Sequence, residues 1–466
     1  MAAAFRALML SLAASLFLPA PVNAEDAKPN IWFTECDDAR SHASLRGTQC
    51  THIEAPLDHT TPGDETIELF VRKFPAEGEP IGQLWLVAGG PGESGASFYP
   101  FIETVRGTAP GFDLLVPDHR GTGFSTRLCQ EEESPSSVAG TALAGDEWGT
   151  CFGALNAQAD RTTAFTITNA AQDLDLLISR LEAGNRTYLY GVSYGTQLVL
   201  RMLTLERQVD LDGVILDSLV SLENNDRLDL SHRSAITDGV GRKVLRECDP
   251  LPVCRQYLPG GAEQALQQVL MREDIEELAG KNLKFKLAAL LDFPEARDML
   301  PFVIAGLQAD DPAWLEYAMA RLASFGSKFS PYPQSGSSVP LVSLISRSEN
   351  NARPDLTAEV IAREETPYLF ASPLPSLLLS SGIPLYESDA SFGTSPAKIP
   401  PAIVLQGTLD PKTPYAGAKE HVAKLQLAGS VKLIPIEAAP HFILMTAPDE
   451  FEQSVAAFIQ VRRADP

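Results

Sequence analysis

The chain has 466 residues, 44% of them hydrophobic and 21% charged, enough for a large core and ordinary for a globular protein. Its formal net charge is -23, with a pI near 4.7, so its surface repels phosphate backbones and nucleic acid is excluded as the expected partner. Such a balance mildly favours cationic substrates, such as peptides with a free amino terminus.

Residues 1–24 read as a secretory signal. Arg6 supplies positive charge, an apolar run follows from Ala7 to about Leu18, and Val22-Asn23-Ala24 gives a small-x-small cleavage site. The run is shorter than the roughly 20 residues a membrane-spanning helix needs. An exported protein, periplasmic or secreted and without stable membrane insertion after cleavage, is expected. Six cysteines suit that compartment. They allow 15 pairings; the sequence-local set is Cys36 with Cys50, Cys129 with Cys151, and Cys248 with Cys254. No histidine or cysteine cluster flanks Cys248 and Cys254 as a zinc site would require.

Residues 25 to about 49 read as a leader to the fold. Thr66–Val71 alternates as a strand does. Gln83–Ala88 is an apolar run ending in Gly89-Gly90-Pro91-Gly92, and Phe112–Val116 is another, ending in Pro117-Asp118-His119-Arg120-Gly121. Apolar strands that end in glycine-rich loops predict a buried parallel sheet with its loops gathered at one edge. A helix is predicted over Asn169–Ala183, with Leu174, Leu177, Ile178 and Leu181 on one face, an Asn169/Gln172 capping box and Gly184 as the stop. A strand then runs into Gly191-Val192-Ser193-Tyr194-Gly195, a second helix reaches Leu205, and Val214–Leu216 begins another strand. This alternation is the doubly wound pattern.

The alternation stops near Leu222. Residues 222–394 read as helices and proline-rich loops, with 261–280 and 311–326 the clearest helices. Strands return at Ala402–Leu405 and Val431–Ile436. The predicted layout is a core over 25–221 and 395–466, with 222–394 inserted as a helical cap over the loop edge of one sheet.

Gly-x-Ser-x-Gly between a strand and a helix is the setting of a nucleophile elbow. A serine hydroxyl needs a base. Of seven histidines, His42, His52 and His59 precede the sheet, His119 sits in a loop, and His232 and His421 fall in or near helices. His441 follows the strand VKLIPI in a loop and fits the order serine, acid, histidine. Asp410, after the strand AIVLQG, is the expected acid, with Asp217 after VIL as its rival. An oxyanion needs two backbone donors; the N–H groups of Tyr194 and Gly90 are the candidates. The Gly89–Gly92 loop lacks the Lys-Ser/Thr ending of a P-loop and the spacing of a dinucleotide fingerprint. No metal or organic cofactor is required by this chemistry.

Gly89-Gly90-Pro91-Gly92, Asp118-His119-Arg120-Gly121-Thr122-Gly123-Phe124-Ser125, the Ser193 elbow and Gly407-Thr408-Leu409-Asp410-Pro411-Lys412-Thr413-Pro414 together resemble the α/β-hydrolase fold, and within it the proline-iminopeptidase and tripeptidyl-aminopeptidase group. The resemblance covers about Cys50–Val220 and Pro400 to the end. It implies a mainly parallel sheet of about eight strands flanked by helices, with a helical cap. It gives Ser193, Asp410 and His441 the roles of nucleophile, acid and base. It also implies a peptide or small-amide substrate with a free amino terminus, held by a carboxylate near the cap; Glu349 and Glu93 are the candidates. An esterase would use the same triad. Oligomeric state is not specified by these residues.

Overall fold

The computed structural model describes residues 32–461, apart from 62, 64, 139, 141, 183–185, 208, 221–226, 330 and 380–381. The expected signal at 1–24 and the stop at Gly184 lie outside the described residues.

Five mostly apolar runs form strands buried on both faces, as a parallel sheet covered by helices demands. They are Gly82–Val87 (β4), Phe112–Pro117 (β5), Arg186–Val192 (β6), Gly213–Asp217 (β7) and Ala402–Gly407 (β8). Val431–Ile436 (β9) closes one edge. Thr34–Glu35 (β1), Gln49–Pro56 (β2) and Thr66–Phe74 (β3) form the other. The order is β1-β2-β3-β5-β4-β6-β7-β8-β9, antiparallel up to the β3–β5 pair and parallel from β5 to β9.

The sheet therefore has nine strands rather than about eight, because residues 34–56 belong to it. In β2, Thr51, Ile53 and Ala55 face inward while His52 and Glu54 face solvent. The stretch taken as a leader is fastened by the Cys36–Cys50 disulfide and by the buried Arg72, whose Nη2 donates to both Asp38 carboxylate oxygens at 2.7 Å. The other two disulfides join Cys129 to Cys151 and Cys248 to Cys254, the sequence-local pairs.

Helix α1 spans Ile167–Leu181 and buries Leu174, Leu177, Ile178 and Leu181. Its start lies two residues earlier than expected. Thr166, in extended conformation, accepts from the Asn169 N–H at 2.9 Å and is the cap. Asn169 is not in the capping box predicted for it. Its amide donates to Ala164 O and accepts from His59 N. The elbow helix α2 spans Tyr194–Thr204.

Between β7 and β8 every regular element of the described residues is helical. Arg233–Cys248 (α3) leads, and Val339–Ser348 (α4) is a later member. The single helix expected over 261–280 is two, Ala262–Leu270 and Ile275–Ala279, and in the gap between them Arg272 pairs with the Asp274 and Asp310 carboxylates. These helices bury a core of their own, with Leu266, Leu287, Leu290, Val303 and Ile304 at its centre.

Behind the sheet's loop edge, Arg120 reaches α1. Its Nε and Nη2 donate to Asp173 at 2.6 and 2.8 Å, and its Nη1 donates to Leu57 O and Ala164 O. Burial alone would raise the Asp173 carboxyl; Arg120, and then His59, bring it below its ordinary range. Arg120→Met leaves that carboxylate buried with the largely buried His59 as its one remaining side-chain partner among the described residues. It should cost about 3–5 kcal/mol, read as a lowered urea midpoint.

Candidate active site

Ser193 sits at φ 53°, ψ −123°, a conformation that costs a non-glycine residue about 1–3 kcal/mol. The turn is held by its surroundings. Ser193 N donates to Asp217 O at 2.9 Å, and Thr196 N and Oγ1 return to Ser193 O. Gly195 is obligatory here, since a Cβ at that position would lie 2.4 Å from Val87 O. The tight passage of α2 past the end of β4 is what lifts the serine above the strand ends.

A cavity of about 770 Å³ opens over this edge. Gly89, Gly90, Ser193, Tyr194 and His441 all line it, together with residues of the inserted helices such as Arg233, Phe285 and Asp292. Gly90 adopts φ +112°, closed to other residues, and a Cβ there would strike the backbone nitrogens of Gly92 and Glu93. Tyr194 opens α2, so its N–H has no intrahelical acceptor. Both backbones therefore border the space beside Ser193.

His441 Nδ1 lies 2.8 Å from Asp410 Oδ2. The carboxylate accepts four further contacts, from Lys412 N, Thr413 N, Thr413 Oγ1 and Gln406 Nε2. Burial would push the Asp410 carboxyl up; His441, by charge and hydrogen bond, and the Thr413 donors hold it below the ordinary range. An ionised carboxylate only accepts, so Nδ1 carries the proton and Nε2 is left with its lone pair. Ser193 and His441 share the cavity wall without a hydrogen bond between them among the described residues.

Asp217, the other candidate, is engaged elsewhere. Its oxygens accept from Tyr190 Oη, Ser218 Oγ, Ile443 N and Leu444 N, at 2.8 to 3.1 Å. Ser218 Oγ accepts in turn from Phe442 N. The chain just past His441 is thus pinned to the end of β7. Burial pushes the Asp217 carboxyl up, and these donors only partly offset it.

The remaining histidines have structural settings. His119 is buried, with burial lowering its pKa to about 4. His232 pairs with Asp229 at 2.6 Å but does not line the cavity. His421 lies on the helix Tyr415–Leu425.

The two carboxylates expected to hold an amine part company. Glu349 does not line the cavity. Arg201 of α2 donates to it at 2.9 Å, and both side chains are wholly buried, so that expectation is corrected. Glu93 does line the cavity and is exposed to it. Burial raises its carboxyl, opposed by the charges of Lys412 and His441. The carboxylate at this position therefore lacks a dedicated counter-ion, and Lys412 itself is joined to Asp292 at 3.1 Å.

Sequence reasoning did not single out Thr413, Gln406 or Arg233. Thr413 and Gln406 fasten Asp410; their signal was position beside it. Arg233 carried no motif.

Asp217→Ala strips acceptors from two backbone N–H groups and two hydroxyls. At about 1–3 kcal/mol for each buried group left unpaired, the variant should lose at least about 3 kcal/mol. Hydrogen exchange should speed up over 441–446, which checks that the loss lies in the histidine loop.

Residues 84–257 match the family model described as alpha/beta hydrolase fold. The serine protease Hip1 of Mycobacterium tuberculosis (strain ATCC 25618 / H37Rv) is 30% identical over 188 residues, which is 37% of this chain and 36% of that protein. Carboxylesterase B of the same strain is 32% identical over 93 residues, 18% of this chain and 17% of its own length. The chain thus spans about a third or less of the length of these curated relatives. A solved proline iminopeptidase from Mycobacterium smegmatis is 14% identical, with a TM-score of 0.40 over 89% of this chain and 100% of that one. The chain has the α/β-hydrolase fold, and part of it is similar in sequence to a serine protease and to a carboxylesterase.

Proposed function

We propose that this chain is a serine hydrolase and, more narrowly, an aminopeptidase that releases amino-terminal residues or short peptides through an acyl-enzyme. The observation that carries the reading is the left-handed Ser193 sharing one cavity with a histidine whose other nitrogen is engaged by a buried carboxylate. Strain at a single non-glycine residue, held by its surroundings, is a mark of a functional position.

In this reading His441 Nε2 accepts the Ser193 proton as Oγ attacks the scissile carbonyl. Asp410 stabilises the imidazolium and fixes its tautomer. The N–H groups of Tyr194 and Gly90 receive the tetrahedral oxyanion. His441 then gives the proton to the leaving amine. Water, deprotonated by the same imidazole, releases the acyl group and restores the serine. The missing Ser193–His441 hydrogen bond is no obstacle, since such bonds often tighten only when substrate is bound.

Glu93 is the group proposed to hold the substrate's ammonium. A carboxyl raised by burial regains its charge when a cation is placed beside it. The helical segment 222–394 serves as the cap, closing the cavity over a core of 25–221 and 395–466. Export fits three disulfides. A carboxylic-ester hydrolase is the second reading, favoured by the similarity to carboxylesterase B.

Ser193→Ala should abolish labelling by a fluorophosphonate and lower turnover at least about a thousandfold; turnover near the parent's would reject the serine. Acetylating the amine of a peptide amide should cost most of kcat/KM, and Glu93→Gln should raise KM for the free amine about tenfold or more. Indifference to acetylation, with short acyl esters turned over, would favour the esterase.

A further inference from the structure

Arg233 stands at the start of α3 and lines the same cavity as Ser193 and His441. It is only 8% exposed. Its Nε is buried without a hydrogen-bond partner, and among the described residues no hydrogen bond or ion pair reaches its guanidinium. That is unusual for an arginine, because a buried cation is costly unless it is paired.

Three carboxylates lie near enough to act on it through space, and each is engaged by other donors. Asp410 is held by His441 and Thr413. Asp292 is held by Lys412. Asp229 accepts from Ser231 N, Ala352 N and His232 Nδ1. Burial lowers the Arg233 pKa to about 10, and these three charges resist the fall, so the group stays cationic at neutral pH. A planar fork of donors is thereby held in an enclosed space with its charge balanced at a distance and its hydrogen bonds unmade.

We propose that Arg233 is the anion-recognition residue of this cavity, and that the bound molecule carries a carboxylate received by its guanidinium. Carboxylate is the matching chemistry, since the two oxygens meet the two parallel N–H bonds of the fork. The carboxylate could belong to an acidic side chain or to the free carboxyl end of a short peptide, and a cavity of about 770 Å³ is of the size that encloses a small ligand. That the ligand is also a substrate rests on the hydrolase reading above; the binding does not. With Glu93 for an amine and Arg233 for a carboxylate, the cavity would select zwitterionic peptides.

The test measures how well peptides slow fluorophosphonate labelling of the full chain. One pair of free-amine tripeptide amides differs by Glu against Gln; the other pair is a tripeptide acid against its amide. The expected result is at least tenfold better protection by the acid member of one pair. The first pair reports a side-chain carboxylate and the second a terminal one. Arg233→Met should reduce that preference below threefold, and Arg233→Lys should keep part of it. Equal protection within both pairs, no protection by either up to millimolar concentration, or an undiminished preference in Arg233→Met overturns the proposal. Should Arg233→Met fail to fold, the wild-type pairs and Arg233→Lys decide. Absence of labelling in the wild type would instead sink the hydrolase reading, and the same pairs, followed by calorimetry, would still test Arg233.

Discussion

The site depends on one buried carboxylate whose oxygens are taken up by neighbouring donors. Asp217 takes the N–H of Ser193 on its backbone oxygen and the N–H groups of Ile443 and Leu444 on its side chain. The serine elbow and the histidine loop come from distant parts of the chain, and they meet at this residue. Gln406 does the corresponding service for Asp410. Its Oε1 accepts from Leu219 N, just past β7, while its Nε2 donates to Asp410 and to Thr413 O. Strand β8 lies beside β7, so neighbouring strand ends become a single frame from which three loops are hung.

Asp217 and Asp410 occupy equivalent places, each at the exit of a buried parallel strand, yet their carboxyls are pushed in opposite directions. Both suffer the same desolvation. Asp410 has an imidazole to share a proton with, and Asp217 has only neutral donors. In a low-dielectric interior a titratable partner outweighs dipoles of similar number. Burial raises both Glu349 and Glu93; Arg201 opposes it by direct contact at the first, while only the charges of Lys412 and His441 oppose it at the second, which faces the cavity. Environment, rather than residue type, sorts these four acids.

The parallel part of the sheet was legible because strands buried on both faces are mostly apolar, and β4 to β8 are, with a few polar residues such as Gln83, Asp113 and Gln406 among them. The edge was not. β2 shows its alternation only through Thr51, Ile53 and Ala55, and β1 has two residues, too few for any period. Asn169 was misread because three candidate cap residues, Thr166, Thr168 and Asn169, crowd one turn, and backbone conformation chooses between them. Ser193, Asp410 and His441 could be singled out from chain order and strand ends. Glu349 could not be judged so, since its partner Arg201 lies 148 residues away. Arg233 gave no sign, because what marks it is the lack of a neighbour.

The helical insertion departs from β7 and rejoins at β8, two strands that lie side by side. Because those strands are parallel, the insertion crosses from one edge of the sheet to the other, and most of its apolar interior is self-contained. Evolution, or an engineer, can accordingly transplant or reshape that block as a cassette while the frame beneath keeps its registry. Selectivity and reactivity would then diversify on separate clocks.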